Sequence, residues 1–256
     1  MGIEEQNAMN FKMFEELKLV FEDIDQDFNC KCVLLRGHGP IFTSGFDSPD
    51  CGEKVFARAM GHSDCIGRRA YMFNKFIKAM QDGANAPEKC RVPVIVAIHG
   101  MCKNTAIDIS CSCDIRLTSK DCMFALDEIN GGVAADLGPL QRLPKICGNE
   151  SLLRELILTG RDFSAAEARE LGYVSHVYEN DEELFSEAMK MAINIAKKSP
   201  VAILGVKNAL VYSRDHTVED SMNQIREWNS AMVQNKDIMH IIEATTKNEE
   251  PKFENL

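Results

Sequence analysis

Between residues 11 and 24, Phe14, Leu17, Val20, Phe21 and Ile24 recur at the spacing that lays apolar side chains along one face of a helix. The pattern then changes. Cys32-Val-Leu-Leu-Arg36 is a short apolar run of the kind a buried strand presents, and Gly37-His-Gly-Pro40 supplies a turn after it. Residues 48–66 are polar and without period, which predicts irregular chain. Helical spacing returns over 69–80, and Val92-Pro-Val-Ile-Val-Ala-Ile98 reads as a second buried strand ending at His99-Gly100. Strand, helix and strand in succession predict an α/β fold.

Beyond Gly100 the pattern predicts a helix near 105–113, strands near 114–118 and 123–126, and a loop carrying Glu128 and Asn130-Gly-Gly132. From Asn149 onward it becomes almost wholly helical, with 173–178 as the one strand candidate. Residues 150–158 form a helix closed by Gly160, and Ser164-Ala-Ala-Glu167 has the spacing of a capping box. Further helices are expected over 181–198, 200–213, 217–235 and 237–246. The chain therefore divides into an α/β core over 1–178 and a helical region over 179–256, which packs either on its own core or on a neighbouring subunit. No internal repeat is visible.

Composition narrows the function. The chain has 256 residues, 45% of them hydrophobic, enough to bury a core without covalent staples. Its 29 Lys and Arg stand against 39 Asp and Glu, and a net charge of −10 argues against nucleic acid or an anionic membrane face as the main partner. All ten cysteines precede residue 148, with no C-x-x-C and no His at zinc spacing, so small buried hydrophobes are expected rather than a disulfide framework or a metal site. The longest apolar stretch, residues 92–98, is too short to span a bilayer. Neither a secretory nor a transit signal is read in the first ten residues, and the last three, Glu254-Asn-Leu256, do not match a peroxisomal S-K-L address.

Nucleotide-binding loops, a G-x-S-x-G elbow and H-E-x-x-H are absent. His99, at the end of a buried strand, is expected to make a structural hydrogen bond. What remains is three carboxylates in apolar, glycine-containing surroundings: Asp108, Glu128 and Asp136. Burial or a like-charged neighbour raises a carboxyl pKa toward values useful for proton transfer, and two such groups facing one substrate can take a proton at one carbon and return it at another. A bland alternative stays open, in which Asp136 caps the helix near 137–145 while Asp108 and Glu128 pair with Arg116 or Arg142.

The run from His99-Gly100 through Ile107-Asp-Ile-Ser-Cys-Ser-Cys-Asp-Ile-Arg116, Glu128 and Gly132-Val-Ala-Ala-Asp-Leu-Gly138-Pro-Leu-Gln-Arg-Leu-Pro144 resembles the enoyl-CoA hydratase/isomerase (crotonase) superfamily. Asn7-Ala-Met-Asn10 and Phe42-Thr-Ser-Gly-Phe-Asp47 support it, and the likeness extends from about residue 7 to 247. The resemblance implies a crotonase-like spiral of ββα repeats with a C-terminal helical region that builds homotrimers or homohexamers. It implies an acyl-CoA substrate, with coenzyme A part of that substrate and no separate cofactor, and a mitochondrial or peroxisomal setting. Two backbone N–H groups, matched to Ser44 and Thr105, would hold the thioester oxygen as an oxyanion, and Ser44, Gly45, Phe46, Asp47, Ser48 and Thr105 would contact substrate. Members resembling hydratases carry two glutamates and a small third residue. The set Asp108, Glu128 and Asp136 resembles instead the dienoyl-CoA isomerases, in which a proton moves between C2 and C6 of a 3,5-dienoyl-CoA during fatty acid β-oxidation. Hydration and a non-catalytic assembly subunit are the alternatives.

Two departures carry expectations of their own. Asn104-Thr105-Ala106, preceded by Lys103, stands where the family usually has a glycine triplet. Asn104 is expected to cap the following helix, and Thr105 to shift the N–H or narrow the thioester slot. The strands that usually precede the Asn7 segment are expected to be missing, leaving a sheet edge uncovered. Arg68, Arg69, Lys75 and Lys78 are read as a solvated helix face, Met189, Met191, Ile193 and Ile195 as apolar helix surface, and Trp228 as core or interface.

Overall fold

The computed structural model describes residues 6–256. It opens on α1 (Phe11–Gln26), whose N-cap Asn10 accepts from the Met13 amide at 3.0 Å, and continues into β1 (Val33–Arg36). Then come α2 (Ser48–Cys51), a π-helical stretch (Gly52–Ala57), α3 (Arg58–His62), α4 (Ile66–Ala84) and α5 (Ala86–Lys89). The middle holds β2 (Val94–Ile98), β3 (Met101–Lys103), α6 (Thr105–Ser110), β4 (Ile115–Ser119), β5 (Met123–Ala125) and a 3-10 turn (Glu128–Gly131). Helices α7 (Pro139–Ile146), α8 (Glu150–Thr159) and α9 (Ala165–Glu170) follow, with β6 (Phe163–Ser164) between the last two and β7 (His176–Tyr178) after them. The chain closes on α10 (Asp181–Ala196), α11 (Pro200–Tyr212), α12 (Val218–Met232) and α13 (Asp237–Lys247).

Residues 48–66 are a correction to the sequence reading: they are largely helical. Cys51, Val55 and Ala59 are buried four residues apart, a stripe of small side chains that a hydropathy pattern weights little, and Asp47 caps its start by accepting from the Asp50 amide at 3.0 Å.

Two sheets set the site. The first is parallel throughout, in the order β1-β2-β4-β7, with Val33 opposite Val94 and Ile95 opposite Ile115. Its central β2 is fully buried on both faces. Val94, Val96 and Ile98 enter the main core, while Ile95 and Ala97 meet Leu184, Ala188 and Ala192 of α10. That double burial is why the run is apolar without alternation. The second sheet is β3-β5-β6, parallel between β3 and β5 and antiparallel between β5 and β6.

The chain passes from one sheet to the other twice in the same way, from β2 to β3 through the tight turn at Gly100 (φ +64°) and from β4 to β5. Because β3 and β5 run parallel with Lys103 opposite Ala125, the segments that leave them emerge side by side. One is the start of α6; the other leads to Glu128.

His99 makes the expected structural bond, its Nε2 lying 2.9 Å from the Gly39 carbonyl oxygen. The cysteines form no disulfide, and Cys65 alone among them is exposed. In the helical region, Lys207 on α11 is buried and reaches Asp114 Oδ2 at 2.9 Å, Val92 O at 2.8 Å and Pro87 O at 3.0 Å, which pins that helix to the sheet. Trp228 is half-buried against Gly205 of α11. Met191 and Ile195 pack against the sheet, whereas Met189 and Ile193 are exposed. Among the described residues no helix is long and apolar enough to cross a membrane.

Candidate active site

The three carboxylates come from three segments that the sheets bring together. Asp108 lies in the first turn of α6, 2% exposed, and its Oδ1 has no partner among the described residues. Glu128 begins the 3-10 turn after β5, half-buried, with a buried Oε2 that also lacks a partner. Asp136 sits in the loop before α7, where the Gln81 side-chain amide donates to its backbone carbonyl at 2.6 Å. All three line one cavity of about 410 Å³, together with Phe46, Ser48, Met80, Asn104 and Thr105.

Their electrostatics follow from that placement. Burial first, and then the charges of Glu128 and Asp136, push the Asp108 carboxyl well above the usual carboxylate range, with Arg142 pulling weakly the other way. Burial is also the main cause at Glu128, assisted by Asp127 and Asp136, and its pKa rises to about 6. Burial raises Asp136 as well. Asp136 is nevertheless the most open of the three, exposed at the cavity mouth, so solvent screens its shift most.

The bland alternative fails on geometry. Arg142 is spent on Glu88 and on Asn85 Oδ1 at 2.7 Å, and Arg116 on the carbonyls of Tyr173 and Cys113, each at 2.7 Å. The N-cap of α7 is Gly138, at φ +124°, so Asp136 does not cap that helix. An acid held without a cation in an apolar pocket keeps its proton or moves it. Among the described residues, no group of three or more His, Cys, Asp or Glu is placed to hold a metal ion.

Backbone donors require a correction. The Ser44 amide donates to the Gln6 carbonyl at 3.0 Å, so it cannot also serve a substrate oxygen. Its neighbours are committed as well: the Gly45 amide to Thr43 Oγ1 at 3.0 Å and the Asp47 amide to the Met9 carbonyl at 3.0 Å. The amide of Phe46 between them has no partner among the described residues, and Phe46 lines the cavity. The Thr105 amide, first in α6, is likewise without a partner.

The profile of the Enoyl-CoA hydratase/isomerase family matches residues 3–255. The chain belongs to the enoyl-CoA hydratase/isomerase family. It is 39% identical over 247 residues to the Delta(3,5)-Delta(2,4)-dienoyl-CoA isomerase, mitochondrial, of Pongo abelii, covering 96% of this chain and 74% of that protein. It is 36% identical over 250 residues to the Delta(3,5)-Delta(2,4)-dienoyl-CoA isomerase, peroxisomal, of Arabidopsis thaliana, covering 98% and 89%. In fold it matches the crystal structure of the enoyl-CoA hydratase from Bacillus anthracis with a TM-score of 0.86 at 24% identity, covering 98% of this chain and 91% of that one. The architecture is therefore the crotonase-like α/β fold with a helical C-terminal region.

Within this enoyl-CoA hydratase/isomerase family member, Phe46, Ser48 and Thr105 line the cavity, whereas Ser44, Gly45 and Asp47 do not. Asp47 is occupied in capping α2. Gly45 acts through its backbone: at φ +96° it turns the chain so closely over β3 that a Cβ would stand 3.2 Å from the Lys103 carbonyl oxygen. Asn104 does not cap α6 with its side chain, which faces Asp127 instead. Met80 and residues 133–135 are wall residues that the sequence reading missed. Their only signal is apolar character, shared with much of the core.

Proposed function

We propose that this enoyl-CoA hydratase/isomerase family member isomerises a 3,5-dienoyl-CoA to the conjugated 2,4-dienoyl-CoA. The observation that carries the reading is the convergence of Asp108, Glu128 and Asp136, which have no cationic partner among the described residues, on one cavity also lined by Phe46 and Thr105, whose amides have no partner among the described residues. The thioester oxygen accepts from the Phe46 and Thr105 amides, which stabilise the negative charge that grows on it as a proton leaves C2. The electron pair from that C–H bond forms the C2=C3 bond, the 3,4 and 5,6 double bonds give way to one at C4=C5, and a proton is added at C6. Glu128 and Asp136 take and return that proton, one at each carbon. Asp108, the most deeply buried, keeps its own proton and orients its neighbours. Net proton change is zero, and the chemistry asks for neither water nor a redox group.

A third acid favours isomerisation over hydration, since adding water requires only two groups around one water molecule. The relatives named as dienoyl-CoA isomerases support the same choice, and their descriptions support a mitochondrial or peroxisomal setting. Exposed apolar residues on the last helices, Val206, Leu210, Ile241 and Ile242 among them, support a homotrimer or homohexamer, which light scattering measures directly. The function is tested by mixing the purified protein with 3,5-octadienoyl-CoA and following the ultraviolet absorbance of the conjugated product. Turnover by the wild type and a loss of about 10²-fold or more in Asp136→Asn are expected. A silent wild type, or hydration of a 2-enoyl-CoA in its place, sinks the assignment.

A further inference from the structure

The turn that carries the Thr105 amide is built on a residue in a conformation that disfavours side chains. Asn104 has φ +48° and ψ −107°. Its neighbours bear β-carbons too, so nothing in the local sequence relieves the turn. What holds it is a pair of reciprocal hydrogen bonds to the opposite strand exit. Asn104 Nδ2 donates to Asp127 Oδ1 at 2.6 Å, and the Asp127 amide donates to Asn104 Oδ1 at 2.8 Å. A third bond, from the Asn104 amide to the Ala125 carbonyl at 2.9 Å, continues the β3–β5 pairing to this point. On the other side of Asn104, Lys103 Nζ reaches Asp162 Oδ1 at 2.7 Å, just before β6.

The residues at the two ends of this clamp adjoin the two kinds of catalytic group. Asn104 precedes Thr105, whose amide is one of the oxyanion donors, and Asp127 precedes Glu128, one of the two proton carriers. We propose that the Asn104–Asp127 pair is a positioning clamp that fixes the spacing between the thioester oxygen site and the Glu128 carboxylate. The proposal rests on the catalytic reading above. The clamp touches none of the reacting atoms. It supplies, through side-chain bonds across the strand exits, a rigidity that the turn's backbone alone does not provide. Both partners have to be present, because either side chain alone is a polar group beside an apolar core with its bonding capacity unmet.

The geometry fixes an order of effects. Asn104→Gly accepts the same backbone angles and removes both reciprocal bonds, so it folds and loses the whole clamp. Asp127→Ala removes the carboxylate acceptor but keeps the amide donor, so it loses about half. Asp127→Asn restores a side-chain oxygen for Asn104 Nδ2 and recovers most of what Asp127→Ala loses. A displacement on the order of 1 Å in a catalytic group costs about 10²-fold, and the clamp controls a fraction of that, so Asn104→Gly is expected to lower kcat about tenfold with KM within about threefold of wild type. The Asn104→Gly/Asp127→Ala double variant is expected to equal Asn104→Gly, because the two residues act as one unit.

The experiment measures kcat and KM on 3,5-octadienoyl-CoA for these variants, with the affinity for acetoacetyl-CoA, a readily enolised thioester, measured by calorimetry in parallel. Asn104→Gly with kcat within twofold of wild type overturns the clamp, as does a double variant whose loss is the product of the two single losses. A wild type that binds acetoacetyl-CoA but does not isomerise ends the catalytic reading alone. The clamp is then judged by affinity, with Asn104→Gly expected to bind about fivefold more weakly and equal binding overturning it. A wild type that binds no thioester overturns both.

Discussion

Replacing Glu128 with Gln keeps the side chain's size and removes its titrating proton. Burial, together with the charges of Asp127 and Asp136, raises the Glu128 pKa from 4.5 to about 6. The folded state thus holds this proton more tightly than the unfolded chain does. Below about pH 4.5 both states are protonated and Glu128 costs the fold nothing. The penalty grows as pH rises from about 4.5 to 6, where the unfolded chain has released the proton and the folded one has not, and it is constant above that. A rise from 4.5 to about 6 is worth about 2 kcal/mol, and because Glu128 is only half-buried, solvent screening leaves about 1 kcal/mol. In a chain of 256 residues that corresponds to about 2–4 °C in melting temperature. Glu128→Gln is therefore expected to be more stable than wild type by about 1 kcal/mol at pH 7.5 and nearly equal at pH 4, while turnover falls by about 10²-fold or more. Thermal melts from pH 4 to 8 measure the first effect, and the absorbance assay measures the second. The wild-type rate should also change near pH 6, where Glu128 titrates, and a fall on the acid side assigns Glu128 as the group that takes the proton. A variant less stable than wild type at pH 7.5, or a stability difference that ignores pH, would refute the reasoning, because it would make Glu128 a structural charge rather than a strained acid.

Gly45→Ala places a Cβ 3.2 Å from the Lys103 carbonyl oxygen at φ +96°, and it is expected to cost about 1–3 kcal/mol in urea denaturation. It also moves the Phe46 amide, so kcat should fall with little change in KM; unchanged kcat would argue against Phe46 as a donor. Lys207→Met leaves Asp114 and two buried carbonyls without their shared cation and is expected to destabilise the fold by about 3–5 kcal/mol, read from the denaturation midpoint. Glu88→Gln removes the anion that Arg142 and Arg214 share next to the Asp136 loop, and a loss of about 2–3 kcal/mol in the same measurement is expected.

Much of the architecture was legible because local physics leaves a mark in sequence. Asn10, Asn149, Ser164, Asn180, Ser199 and Thr217 each cap a helix with a side-chain oxygen, and the Ser164–Glu167 capping box and the left-handed Gly160 stop were visible as short motifs. The unbroken apolar run of β2 announced a strand covered on both faces. The helical stretch over 48–62 and the three-residue β3 were not legible. The first buries only small side chains, and the second is held by pairing with β5, with Met101 opposite Met123 and Lys103 opposite Ala125.

The same division runs through the site. Sequence by itself determined that Asp108, Glu128 and Asp136 sit in apolar surroundings, because a costly carboxylate among Ile, Val and Ala is a local signal. Only the tertiary structure decided that no arginine among the described residues pairs with them, since Arg142 is claimed by Glu88 and Asn85 and Arg116 by the Tyr173 and Cys113 carbonyls. It also committed the Ser44 amide to Gln6, left the Phe46 amide without a partner among the described residues, and aimed the Asn104 side chain at Asp127 rather than at the helix start. Every peptide bond outside proline carries the same N–H, so its sequence cannot say which ones are already spoken for; that depends on where a carbonyl from elsewhere in the chain comes to rest.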